Sequence, residues 1–218
     1  MALTVKEFKQ GMTTQEYLDQ IRVNKEPILA VFNAGEVSTE YKGFFDGLSE
    51  PLRLAVFTAD WCGDAVTSAP PLLRLADATE GLELSIFNRD EVMELTNSFL
   101  PVHRHGTLPV FVVFDQQMRE VSRFIETAKE LVPALGRMQE EIARAKEAAS
   151  TRGDSLAEEG AASQTAIRGR RMAYRVAHAE EWGQVVTRAF TALVRTGLAL
   201  PPERRPAEGG TEWPPPQQ

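Results

Sequence analysis

The sequence predicts an α/β protein: a small mixed β-sheet flanked by helices, followed by a C-terminal helical extension. Three observations predict it. From residue 52 onward the apolar runs follow the order strand, helix, strand, helix, strand, strand, helix. A parallel pair joined by a crossover helix, then a hairpin and a covering helix, builds a mixed sheet with helices on both faces. A separate amphipathic stretch over residues 166–198 lies beyond a small, polar segment.

The elements follow in order. Thr13-Thr14-Gln15-Glu16 reads as an N-cap with a capping-box acid. Tyr17, Leu18 and Ile21 make the apolar stripe of that helix, and Glu26-Pro27 should end it. A short helical stretch near Ile28–Phe32 and the pair Phe44-Phe45 precede the first strand, Leu52–Thr58. A helix is expected from about Gly63 to Thr79, with Leu72, Leu73 and Leu75 inward and Pro70-Pro71 as an internal cost. Leu82–Phe87 reads as a strand and Glu91–Leu100 as a helix. Val110–Phe114 is a buried strand, and Met118–Phe124 is its hairpin partner across Asp115-Gln116-Gln117. A long helix should then run from about Thr127 to Ala149.

The expected division is a domain over 1–149, a linker over 150–165, one arginine-rich helix over 166–198 and a disordered Pro/Gly-rich tail over 199–218. The stripe of that helix, through Met172, Val176, Trp182, Val186 and Phe190, has two fates. Packing on the domain is favoured over oligomerisation.

Charge and cysteine usage narrow the function classes. The net charge is −7, but residues 1–164 carry −10 and residues 165–218 carry +3, with arginine the only cation in the latter. That excess is too small to predict nucleic-acid binding. No apolar run approaches the ~20 residues of a membrane span, and the N-terminus does not read as a signal peptide. The cytoplasm is the expected compartment. The one cysteine, Cys62, rules out a disulfide within the chain.

The informative residues are Thr58-Ala59-Asp60-Trp61-Cys62-Gly63-Asp64-Ala65, where a strand ends and a helix begins. This resembles the active-site segment of the thioredoxin superfamily, Trp-Cys-Gly-Pro-Cys. Gly106-Thr107-Leu108-Pro109-Val110-Phe111 resembles the cis-proline loop of the same fold. The Cys-Gly-Asp-Ala form is similar to that of a little-characterised group of bacterial thioredoxin-like proteins. The resemblance covers roughly residues 50–135.

It implies a thioredoxin-like fold with Cys62 as nucleophile. Trp61, Gly63, Asp64, Thr107, Leu108 and Pro109 would line the substrate groove, and Leu108-Pro109 would be cis. The backbone of Leu108 would pair with an extended substrate. The implied partner is a disulfide- or thiol-bearing protein or a low-molecular-weight thiol, with no cofactor.

The departures exclude a dithiol cycle. Ala65 stands where the resolving cysteine would be, Asp64 where proline would be, and Val56 where a buried aspartate would move the proton. Release of product then needs an external thiol. A helix start lowers a thiol pKa by an effect of about 0.3–2 kcal/mol. A carboxylate ~7 Å away, at an effective dielectric of about 20, opposes it by roughly 2 kcal/mol. Asp60, His103, Arg104 and His105 are the groups that would tip this balance. The two histidines and one cysteine are a poor metal set, since a zinc site wants four convergent ligands.

Two readings stand. One is monothiol thiol–disulfide exchange, and the alternative is a non-catalytic peptide- or protein-binding module with an inert cysteine. The resemblance disfavours a peroxiredoxin, because Thr58 lies four residues before Cys62 rather than three. It also disfavours a monothiol glutaredoxin, because Asp64-Ala65 stands where Phe-Ser would be expected.

Overall fold

The computed structural model describes residues 3–150 and 161–211. Two short helices open the chain, α1 (Val5–Phe8) and α2 (Thr14–Gln20). Each is closed by a capping box, Thr4 with Glu7 and Thr13 with Glu16. Helix α2 ends at Gln20, before Pro27. That proline sits in the first turn of α3 (Lys25–Ala34), where its missing N–H has no helical partner to lose. Phe44 and Phe45 lie on α4 (Thr39–Asp46), a helix the sequence pattern did not reveal.

The sheet order is β2-β1-β3-β4-β5. Central β1 (Leu52–Thr58) runs parallel to β2 (Leu82–Asn88) and antiparallel to β3 (Val110–Phe114). Strand β4 (Glu120–Ile125) completes the hairpin. Every residue of β1 and β3 is buried, so both faces of the sheet are covered. Alternation sorts the side chains. Leu54, Val56, Phe111, Val113 and Phe124 join the larger core, and Ala55, Phe57, Val110, Val112 and Phe114 join the smaller one.

Helix α5 (Gly63–Asp77) crosses from β1 to β2 and keeps Pro70 and Pro71 inside it, both buried. Helix α6 (Met93–Ser98) is shorter than its pattern predicts. Helix α7 (Val132–Ser150) starts later than expected, after a 3-10 turn at Lys129–Leu131.

The C-terminal region departs most from expectation. The helix expected over 166–198 is two helices, α8 (Ala161–Ala177) and α9 (Ala179–Ala199), divided at His178. No glycine or proline marks the break. His178 instead bonds the Tyr174 carbonyl through Nδ1 at 2.9 Å, and its ring stacks between Tyr174 and Trp182. Helix α9 packs on the larger core through Trp182, Val186, Phe190 and Val194. It therefore packs on the domain, the fate favoured for its apolar stripe.

The region expected to be a disordered tail contributes β5 (Ala207–Gly210), parallel to β4. Its glycines permit the pairing. A Cβ at Gly209 would lie 3.0 Å from Leu193, and Gly210, at φ +104°, would place one 2.0 Å from the Ile125 carbonyl. Arg205 bonds the Leu198 and Leu200 carbonyls and so caps α9. Expectations for residues 151–160 and 212–218 lie outside the described residues. Among the described residues, no helix is long and apolar enough to cross a membrane.

The contact of α9 with β4 yields a paired prediction. A Cβ at Gly197 would lie 2.2 Å from the Val121 carbonyl, whereas one at Gly136, an exposed position of α7, meets nothing within 4 Å. Gly197→Ala should destabilise by about 3 kcal/mol and Gly136→Ala should stabilise by about 0.5–1 kcal/mol, both read from urea unfolding midpoints.

Candidate thiol site at the start of α5

The site begins where β1 runs out. Asp60 accepts from the Arg22 and Val23 N–H groups at 2.7 and 2.9 Å, and its own carbonyl accepts from the Asn24 side chain. This carboxylate therefore anchors the α2–α3 loop rather than tuning the thiol. Cys62 is the N-cap of α5, in extended backbone geometry, with its N–H on the Ala59 carbonyl at 3.1 Å.

Across from it lies the Gly106–Pro109 loop, with Leu108-Pro109 cis. The Cys62 thiol donates to the Leu108 carbonyl at 3.7 Å. Of the residues expected to line a groove, Cys62 and Leu108 are in contact, whereas Gly63 faces Met172 and Arg175. Thr107 is half-buried at the rim, its N–H on the Arg104 carbonyl.

Trp61 forms one wall and is 45% exposed. Its indole Nε1 donates to Asp90 at 2.8 Å. The Arg89 guanidinium lies 6.0 Å from its ring centroid and also reaches the Gly106 carbonyl. Arg89 thus ties the Trp61 wall to the proline loop.

His103 and His105 are exposed. Arg104, expected to tune the thiol, is 9% exposed and pairs instead with Glu126 at 3.0 Å. Burial pushes the Glu126 carboxyl up, against the opposing pull of the Thr211 hydroxyl and Arg104. Glu126 also donates its N–H to the Pro109 carbonyl at 2.8 Å, so this buried pair braces the cis-proline loop.

The other wall comes from α8, which local patterning could not place. Arg175 bonds Asp64 at 2.8 Å and also the Thr67 hydroxyl. Met172 and Arg175 lie over Gly63, where a Cβ would meet them at 3.5 and 3.7 Å. Arg168 reaches the Asn24 side chain and the Trp61 carbonyl, at 3.0 and 3.4 Å, and Arg171 reaches Gln139. The sole sequence hint of this arrangement is the contrast between an acidic body and an arginine-only C-terminal region.

These neighbours set the state of Cys62. Burial pushes its thiol up from the ordinary value, and the Asp64 charge adds to the rise. The Ala65 and Asp64 N–H groups and the Arg175 charge pull it down without prevailing. A hydrogen bond from the thiol to a carbonyl also favours the protonated form. Among the described residues, no three metal-ligating side chains converge.

The two neighbouring charges act with opposite sign. Asp64→Asn removes a like charge and should lower the midpoint of the pH–alkylation profile of native Cys62. Arg175→Gln removes an opposite charge and should raise it.

Comparison with known proteins agrees with this geometry. A thioredoxin family profile, Thioredoxin_9, matches residues 11–147. No curated protein matches. Among solved structures, a protein of unknown function from Pseudomonas aeruginosa is similar in fold, with a TM-score of 0.53 and 13% identity over 84% of this chain and 98% of that one. An HIV epitope-scaffold is similar with a TM-score of 0.51, at the same identity and coverage. The profile covers the strand–cysteine–helix turn, the proline loop and α7 but stops before α8, and on that match the chain belongs to the Thioredoxin_9 family of thioredoxin-like proteins.

Proposed function

We propose that this protein carries out monothiol thiol–disulfide exchange at Cys62. The observation that carries this reading is the position of Sγ, at the N-terminus of α5 and against the carbonyl that precedes the cis-proline. A disulfide lying along the Gly106–Pro109 loop would present a sulfur to it there. The Cys62 thiolate attacks one sulfur of a disulfide RS–SR, forming the Cys62–S–S–R bond and expelling RS⁻, which takes up the proton that Cys62 gave up. A second, external thiol then attacks the R-side sulfur, releasing R as a new disulfide and returning Cys62 to its thiol.

A raised thiol pKa slows this cycle without abolishing it. Each unit of rise lowers the thiolate fraction tenfold and returns about threefold in nucleophilicity, a net loss of about threefold. The same rise makes Cys62 a poorer leaving group, so the mixed disulfide is long-lived. The reading is of a thiol carrier more than a fast reductase.

The second reading, a binding module with an inert cysteine, is favoured by the half-buried thiol and its bond to Leu108. Incubation with 2-hydroxyethyl disulfide separates the two. Exchange predicts one adduct, on Cys62 and absent from Cys62→Ser, forming at a rate that still climbs above pH 8.5, the ordinary thiol range of about 8.5. An intact-mass spectrum without adduct at pH 9.5, from protein whose cysteine labels once unfolded, would overturn exchange in favour of binding.

A further inference from the structure

We infer that α8 builds an anion-binding cleft beside Cys62, which takes a small ligand with an aliphatic stem and a carboxylate, and so selects carboxylate-bearing thiols and disulfides for the site. The selection of exchange partner rests on the exchange reading above; the binding of the carboxylate does not.

Among the described residues, a cleft of about 840 Å³ opens between α7, α8 and the start of α5. That is room for a small molecule. Leu135, Met138, Ile167 and Met172 supply an apolar wall. Among the described residues that line it, Arg168, Arg171 and Arg175 stand against one acid, Asp64, which Arg175 already holds. In a chain of net charge −7 this local excess of cations is set against the overall balance.

Arg175 gives a second, independent pointer. It is 6% exposed, and its Nε is buried without a hydrogen-bond acceptor among the described residues. An unsatisfied donor on a buried guanidinium carries a desolvation penalty that an acceptor in the cleft would relieve once the side chain turns Nε toward it. That nitrogen lies 3.9 Å from where a Gly63 Cβ would be, at the junction of the cleft with the thiol site. Arg168 and Arg171 are exposed, and each is held by neutral amide oxygens, so both are open to exchange a weak acceptor for a carboxylate.

The ligand is small rather than polymeric. A nucleic acid would meet the field of an acidic body beyond the cleft, whereas one carboxylate on a three- or four-carbon stem meets only the arginines and the apolar wall. A thiol or disulfide of this kind would bring its sulfur toward Cys62 while its charge stays on α8.

The test uses 3,3′-dithiodipropionate, with cystamine and 2-hydroxyethyl disulfide as its cationic and neutral counterparts. Cys62→Ser, which cannot exchange, should bind the dianion by titration calorimetry and not bind cystamine. Adding Arg168→Gln and Arg171→Gln, both at exposed positions, should abolish that binding. In the chain with Cys62 intact, the rate of adduct formation with the dianion relative to the neutral disulfide should fall about fivefold in the Arg168→Gln/Arg171→Gln variant. Dianion binding that persists after both substitutions, or cystamine bound equally well, would overturn the cleft. Binding without any adduct would sustain the cleft and defeat the exchange reading alone. Adducts with no preference for charge would do the reverse.

Discussion

The arrangement turns on one buried cation. Arg175 lies at 6% exposure, and a guanidinium there requires a counter-charge and several acceptors. Asp64 and the Thr67 hydroxyl, both on α5, supply the counter-charge and an acceptor for each terminal nitrogen, and Nε alone has none among the described residues. These two bonds fix α8 over the first turn of α5, with Met172 laid on Gly63. Helix α9, continuing beyond the His178 break, is fixed independently by Trp182, Val186 and Phe190 in the larger core. A chain held at both ends in this way closes one flank of the thiol site.

The character of Cys62 follows from its burial. A thiol at a helix start with one open flank would be governed by the N–H groups and the dipole. Here burial is the largest influence, and it acts in the opposite sense. Asp64 has two consequences at once. It raises the thiol directly, and it retains Arg175, whose charge lowers it. The near-cancellation expected from Asp64 and the helix terminus is thus incomplete, because desolvation by burial and the bond to Leu108 join the same side.

What was legible in the sequence was local. The strand before Cys62, the helix after it and the buried run after Pro109 each carry their signal within a few contiguous residues, and they match β1, α5 and β3 closely. The capping acid three residues beyond Thr13 identified the start of α2 for the same reason. What was hidden depended on distant partners. Arg175 and Asp64 are 111 positions apart, so nothing near either announces the pair. Arg104 reads as a loop cation until Glu126, at φ +65°, is brought beneath it. The glycines of β5 have the composition of a disordered tail, yet Gly210 is required where the strand meets the Ile125 carbonyl. The His178 break is set by ring stacking and a carbonyl contact, with no helix-breaking residue to mark it.

A double-mutant cycle on Asp64→Ala and Arg175→Met, read by urea unfolding, tests most directly whether this ion pair holds the two helices together. The Asp64 side chain is 39% exposed and that of Arg175 is 7% exposed, so the pair falls between surface and buried cases. The predicted coupling energy is about 1–2 kcal/mol, above the surface range and below the cost of a fully buried pair. Substitutions that add to within about 0.5 kcal/mol would contradict the account and show α8 to be held over the site by apolar packing alone.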